Sequence, residues 1–254
     1  MKKAALHNLG CKVNGYETEA MQKLLEEDGY EIVPFHEKAD VYVINTCTVT
    51  NIADRKSRQM LHRARKLNPE AVIVAAGCYV QAQEEAGQAI EGIDILIGNN
   101  QKKNLISLLH AHEQHEDIKA VIDINHTGEF EELYVDSAGD HTRAYIKIQD
   151  GCNQFCTYCI IPYVRGRIRS RQPEEIVKEV ERLADAGYQE VVLTGIHASS
   201  YGVDFVNPKM DLDSWVTMEG EKKDLLYLIQ QIHKVEGIRS CLLYTSPSPR
   251  DRSV

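Results

Sequence analysis

The sequence predicts an α/β chain: an N-terminal parallel-sheet α/β domain, then the opening strand–helix units of a second parallel α/β domain. Three observations carry that prediction. Short apolar runs rich in Val, Ile and Ala alternate with helical patterns over the first hundred residues. Those runs are too short for buried helices and are apolar on both faces, as strands covered from both sides must be. The alternation stops across an acidic stretch and resumes after it, which divides the chain in two.

Taken in order, "KAALHNL" (Lys3 to Leu9) is the first strand, followed by a helical pattern from about Tyr16 to Asp28. "DVYVINT" (Asp40 to Thr46) is β-branched and is the second strand. A basic helix from about Asp54 to Leu67 follows and is stopped by "NPE". "EAVIVAAG" (Glu70 to Gly77) is the third strand; a helix near Gln81 to Gln88 and "IDILIG" (Ile93 to Gly98) complete the series. Strands and helices in this rhythm form βαβ units around a parallel sheet. Glu113 to Asp140 reads as an acidic linker with a short strand at Lys119 to Ile124. Beyond it come a strand, "RAYIKIQ" (Arg143 to Gln149), and a helix with Pro173 in its first turn and Gly187 as its stop. "EVVLTGIH" (Glu190 to His197) is a further strand, and "DLLYLIQQIHKV" (Asp224 to Val235) a further helix. The domains expected are therefore 1–112, an acidic linker 113–140, a second domain 141–240, and a tail 241–254.

The tail changes character. Cys241 to Asp251, "CLLYTSPSPRD", back-translates codon for codon into what looks like a transposon-end adapter from DNA library preparation. It is expected to be foreign, with the native chain diverging near Ser240 and Cys241 carrying no function. No apolar run approaches the roughly 18 residues of a membrane span, and "MKKAALHNLG" breaks at His7 and Asn8 and makes a poor signal peptide. The expected location is the cytoplasm, without a membrane partner, where clustered thiols point to metal or catalysis rather than disulfides.

Net charge is -9, but Glu113 to Asp140 alone holds nine acidic residues against one lysine. The remainder is near balance, with 28 basic and 29 acidic residues (29 − 1 and 38 − 9). Two basic clusters stand out there: "RKSRQMLHRARK" (Arg55 to Lys66), and Arg165, Arg167, Arg169 and Arg171. An anionic partner is permitted by these clusters, and a solvated face is the alternative.

The seven cysteines carry the chemistry. "GCNQFCTYC" places Cys152, Cys156 and Cys159 in one loop and offers no histidine to close a zinc site. Three thiolates suit an iron–sulfur cubane that leaves one iron open. Cys11, Cys47 and Cys78 each follow a predicted parallel strand, at the edge where ligands of open α/β sheets collect. They point to a second three-thiolate cluster; the alternative is three small buried core residues.

The spacing of Cys152, Cys156 and Cys159 with Tyr158 before the last resembles the radical S-adenosylmethionine signature. Together with "LGCKVNGYETE", "VINTCTVTNIADRKSRQ", "AAGCYVQ", "RAYIKIQDGCNQFCTYCIIPYVRGRIRSR" and "LTGIHASSYG", it is similar to the methylthiotransferases. The branch it most resembles acts on threonylcarbamoyladenosine in transfer RNA, on the wording of "GCKVNGYE", "NTCTVTNIADRKSR" and "GIHASSYG". The resemblance covers Met1 to Ser240 and implies that the second domain is a radical-SAM partial (β/α) barrel, here truncated. It implies two 4Fe-4S clusters. Cys152, Cys156 and Cys159 would ligate the one that binds S-adenosylmethionine and yields a deoxyadenosyl radical. Cys11, Cys47 and Cys78 would hold the auxiliary cluster carrying the sulfur. Tyr158 would lie near the adenine, and Thr194 and Gly195 near the amino-acid moiety of S-adenosylmethionine. Transfer RNA is the implied partner, methylthiolated at C2 of the adenine next to the anticodon, with Arg165, Arg167, Arg169 and Arg171 on its backbone or on the modification. The electron donor and sulfur source are not implied. Family members carry a longer barrel and a β-rich RNA-binding domain, so the chain as written is expected to be inactive. The alternatives are an isopentenyladenosine or ribosomal-protein methylthiotransferase and, from another class, a non-catalytic metal- or cluster-binding module.

Overall fold

The structure is a computed structural model, and it describes residues 1–114, 119–135, 143–206 and 222–244. The chain divides into two compact units, 1–124 with 158–165 and 125–157 with 166–254. The first therefore runs past 112 into the acidic stretch, and it takes in a segment from beyond the linker. Residues 115–118 and 136–142 of that stretch, and 245–254 of the tail, lie outside the described residues.

The first unit is built on a six-stranded sheet in the order β2-β1-β3-β4-β5-β6, with every pairing parallel. Its strands are β1 (Lys3–Asn8), β2 (Glu31–Ile32), β3 (Val41–Thr46), β4 (Val72–Gly77), β5 (Ile95–Ile97) and β6 (Lys119–Ala120). The two-residue β2 carries too few apolar residues to announce itself, whereas β6 falls within the short strand expected at Lys119 to Ile124. Every residue of β3 is buried, because helices cover both faces of the sheet. Alternate side chains divide between the layers. Val41 and Val43 meet Met21 and Leu25 of α1 (Lys12–Glu27) and Leu105 and Leu109 of α4 (Leu105–Glu113). Tyr42 and Ile44 meet Leu61 and Ala64 of α2 (Asn51–Leu67) and Tyr79 and Val80 of α3 (Cys78–Glu85). Thr50 caps α2, its hydroxyl accepting the Ala53 N–H at 3.1 Å.

Three helices start earlier than their patterns predict. α1 begins at Lys12, α2 at Asn51 and α3 at Cys78, against Tyr16, Asp54 and Gln81. Gly77 has a φ of +96°, so the chain turns from β4 straight into α3 with no intervening loop. Cys11 and Cys78 thus stand at helix starts, while Cys47 lies in the turn between β3 and α2. A short helix, α5 (Ile161–Val164), completes this unit.

The second unit holds a four-stranded sheet in the order β10-β9-β7-β8. β7 (Ala144–Asp150), β9 (Glu190–Gly195) and β10 (Ser240–Tyr244) are parallel, and β8 (Arg169–Ser170) runs antiparallel to β7. α6 (Pro173–Asp185) lays Ile176, Val180 and Leu183 on this sheet, and α7 (Leu225–Ile232) adds Leu228 and Ile232. A boundary after Ser240 falls inside β10, whose Cys241 to Tyr244 pair with Val191 to Thr194. Among the described residues no helix is long and apolar enough to cross a membrane.

Buried charge stitches this unit together. Arg171, fully buried, donates to Glu132 at 2.8 Å and to the equally buried Glu179 of α6. Its carbonyl accepts the Tyr201 hydroxyl at 2.7 Å. Removing one member of a buried pair strands the other's charge, a loss of about 3–5 kcal/mol. Glu179→Ala should therefore lower the thermal midpoint of this unit markedly, followed by circular dichroism. A midpoint unchanged within error would show that the pair contributes no stability.

Candidate functional site

β1, β3 and β4 are neighbours in the first sheet, and each ends beside a cysteine. Cys11 occupies the N-cap position of α1, Cys47 follows β3, and Cys78 opens α3. Parallel strands put their carboxyl ends on one edge, so the three thiols share it. A Cβ on Gly10 would stand 3.0 Å from the Cys47 sulfur, so the turn carrying Cys11 lies against Cys47. Cys47 is clamped by Ser57 of α2, which accepts its N–H at 3.1 Å and donates to its carbonyl at 2.9 Å. Burial pushes the Cys47 thiol up, and the nearby thiols of Cys78 and Cys11 add to that; the Val49 backbone and Arg165 oppose it. A thiolate at Cys47 needs a strong cationic partner, which a metal centre supplies.

Under this edge runs a chain of buried polar groups. The Asn99 amide nitrogen donates to the Val164 carbonyl at 2.6 Å and to the Cys78 sulfur at 3.4 Å. Its oxygen accepts Lys102 Nζ at 2.9 Å, and Lys102 pairs with Glu17 at 3.1 Å. Arg165 grips the same carboxylate with both terminal nitrogens, at 2.9 and 3.2 Å, and also donates to Asn14 Oδ1. Asn14 in turn faces the Cys11 sulfur at 3.9 Å and donates to the Thr46 carbonyl at 2.9 Å, next to Cys47. The sequence does not single out Asn14, Glu17, Asn99 or Lys102 as site residues. A signal for them is nonetheless present: polar side chains three apart on α1 just after Cys11, and the "NNQK" that follows β5.

In the second unit, β7 leads into the loop of Cys152 and Cys156. Gly151 has a φ of +72°, and a Cβ there would fall 1.9 Å from the Arg167 carbonyl, so only glycine fits. The Cys152 N–H reaches the Gly166 carbonyl at 3.0 Å, and Asn153 Oδ1 accepts the Ile168 N–H at 3.1 Å. Gln149, also unexpected, donates to the Gly151 carbonyl at 2.7 Å and accepts the His197 N–H at 2.8 Å. It thereby ties the start of the cysteine loop to the turn after β9. The chain passes into the first unit at Tyr158, so Cys159 belongs there. All seven cysteines are thiols, none in a disulfide. Among the described residues, no three Cys, His, Asp or Glu side chains converge tightly enough for a single metal ion. A four-iron cubane binds each thiolate to a different iron, and an all-cysteine donor set is the one it takes.

The remaining predicted residues fare differently. Tyr158 is 78% exposed. Thr194 is buried at the end of β9, and its hydroxyl lacks a hydrogen-bond partner among the described atoms. A Cβ on Gly195 would stand 3.0 Å from the Gln149 side-chain oxygen, a tight contact against β7. The arginine cluster needs correction. Arg165, Arg169 and Arg171 are each only 1% exposed. Arg165 is committed to Glu17, Arg169 lies 3.8 Å from Asp150, and Arg171 holds Glu132 and Glu179. Buried carboxylates, not RNA, take these three cations. Arg167 alone of the four is partly exposed, with its guanidinium 4.3 Å over the Phe155 ring.

Comparison with known proteins bears on the family and the fold. Residues 3–98 match the family described as "Uncharacterized protein family UPF0004", and residues 146–253 match the radical SAM superfamily. The threonylcarbamoyladenosine tRNA methylthiotransferase MtaB of Bacillus subtilis is 48% identical over 88% of this chain and 50% of its own length. A tRNA-2-methylthio-N(6)-dimethylallyladenosine synthase of Desulforamulus reducens is 36% identical over 97% of this chain and 52% of its own length. The chain thus spans about half the length of the curated relatives it matches. The solved radical S-adenosylmethionine methyltransferase TsrM from Kitasatospora setae shares the fold, with a TM-score of 0.50 and 17% identity. That alignment covers 82% of this chain and 50% of TsrM. With a parallel α/β unit ending in three thiols, a following CxxxCxxC loop and these relatives, the chain belongs to the radical S-adenosylmethionine methylthiotransferase family.

Proposed function

We propose that the protein installs a methylthio group at C2 of threonylcarbamoyladenosine, next to the anticodon of transfer RNA. The observation that carries this is the pairing of two thiol triads in one chain: Cys11, Cys47 and Cys78 at three neighbouring strand ends, and Cys152, Cys156 and Cys159 after β7. A reduced 4Fe-4S cluster with S-adenosylmethionine supplies radical chemistry when bound, and the protein supplies ligation, orientation and electrostatics. Cys152, Cys156 and Cys159 would hold that cluster. Gly151 and Gln149 hold the first part of their loop in place. Thr194, Gly195 and Tyr158 would meet S-adenosylmethionine, Thr194 with a hydroxyl whose hydrogen bonding the fold leaves open.

Cys11, Cys47 and Cys78 would hold the auxiliary cluster. Asn99 already aims an amide donor at the Cys78 sulfur, and such donors stabilise the anionic charge of a thiolate. Arg165 brings positive charge within electrostatic reach of Cys47. Arg167 is the member of its cluster placed to meet RNA or the acidic modification. The threonylcarbamoyl acceptor is favoured over a dimethylallyl one because the relative named for it is the more similar, at 48% against 36% identity. The cytoplasm is the matching location. The reductant and the sulfur source are left unassigned.

Two measurements test this. Anaerobic reconstitution should give about eight irons per chain, twice the content of one four-iron centre. Alanine at Cys11, Cys47 and Cys78 together should remove half of that iron, and alanine at Cys152, Cys156 and Cys159 the other half. An N-terminal triple variant with undiminished iron would return those thiols to the role of core residues. For the substrate, a full-length form is incubated with S-adenosylmethionine, a reductant, a sulfur source and transfer RNA, and its nucleosides are analysed by mass spectrometry. Methylthiolated threonylcarbamoyladenosine is the expected product. Methylthiolation of the dimethylallyl nucleoside, or of a ribosomal protein with RNA untouched, would move the chain to a neighbouring branch.

A further inference from the structure

We propose that the outer face of α2 is the phosphate-binding surface by which the first unit receives its RNA; this rests on RNA being the substrate. Arg55, Lys56, Arg58, Arg63 and Lys66 are all exposed, whereas Ser57, Leu61 and Ala64 are buried. At about 100° per residue the five cations fall on one side of the helix, opposite the three buried positions. The only acidic side chain of α2, Asp54, accepts the Thr48 hydroxyl. The sixth cation, Arg65, is held by Asp94 at 2.6 Å and serves the fold.

The position of this face gives it a use beyond solvation. Ser57, on the inner side of the second turn, makes both hydrogen bonds that clamp Cys47. Arg58, next to it, lies 6.0 Å over the ring of Tyr79, the residue after Cys78. The first turns of α2 are therefore fastened beside two of the three thiols, and the cations run away from them along the helix. From Arg55 to Lys66 they cover about 16 Å at 1.5 Å per residue, long enough for several phosphates. At the same end Val49 and Ile52 are 49% and 59% exposed, apolar surface on which a splayed base or ribose can rest. A strand lying along α2 thus delivers a nucleotide to the three-thiol edge. With Arg165, Arg169 and Arg171 buried in ion pairs, the loop after Cys159 keeps only the partly exposed Arg167, while α2 presents five exposed cations.

The test uses the whole chain, anaerobically reconstituted, and a labelled anticodon stem-loop RNA followed by fluorescence anisotropy at several salt concentrations. Arg55→Gln, Arg63→Gln and Lys66→Gln combined should weaken binding. They should also flatten the dependence of log affinity on log salt by about two units, at about 0.7–0.9 for each phosphate no longer neutralised. Iron content and circular dichroism should stay unchanged, since all three side chains are exposed. Unchanged affinity and slope would overturn the proposal, as would absence of stem-loop binding by the parental chain at low salt. Equal competition by duplex DNA of matched charge would also overturn it, leaving only a general polyanion surface. Failure of the nucleoside assay with α2-dependent RNA binding intact would instead remove the methylthiotransferase reading.

Discussion

Glu17 is a carboxylate with no exposure to solvent, and two equally buried cations, Lys102 and Arg165, hold it from different parts of the chain. A carboxylate so buried is tolerated only when paired and hydrogen-bonded. Here the pairing draws three elements of the first unit together: α1, the turn after β5, and the segment 158–165 that arrives from far along the sequence. The same network extends through Asn14 and Asn99 to the backbone beside Cys47 and to the sulfurs of Cys11 and Cys78. The geometry of the thiol edge therefore depends on this buried charge. Loss of Glu17 would leave two cations in a dry interior beneath it.

The sheet imposes the second constraint. Parallel strands order their carboxyl ends along one edge, and helices follow them immediately because a parallel connection must cross over the sheet. Cysteines placed just past β1, β3 and β4 consequently share that edge, Cys11 and Cys78 at the starts of α1 and α3 and Cys47 in the turn before α2. Helix N-termini carry partial positive charge, which suits anionic sulfur. α2 serves twice in this arrangement: Ser57 inward on Cys47, and five cations outward.

The arginines show how charge in a sequence divides between fold and function. Arg165, Arg169 and Arg171 alternate with Gly166, Ile168 and Ser170, and nothing in that spacing distinguishes a surface loop from an interior one. Their partners are Glu17, Asp150, Glu132 and Glu179, spread over most of the chain. In α2 the cations occur within a helical period whose apolar positions are Leu61 and Ala64. There the helical period, with Ser57, Leu61 and Ala64 buried, puts five of the cations on the outer face. A charged residue in a regular element carries its orientation with it; one in a loop does not.

Periodicity and local chemistry, read from the sequence alone, determined the longer strands β1, β3, β4, β5, β7 and β9, the parallel α/β class and the placement of three cysteines at strand ends. Each of these depends on residues a few positions apart, where strand and helix geometry is set by the local run of side chains. They also showed the CxxxCxxC loop and the motifs that mark the family. What they left open depended on interactions between distant residues. Arg165 meets Glu17 across 148 positions, and Val164 meets Asn99 across 65. No local pattern anticipates a pairing over such separations. Helix starts at Lys12, Asn51 and Cys78 and the strands β2, β8 and β10 likewise emerged only when the sheets were assembled. Tertiary structure decided which cations are spent inside the protein and which face outward, because burial is a property of neighbours that only the folded chain brings together.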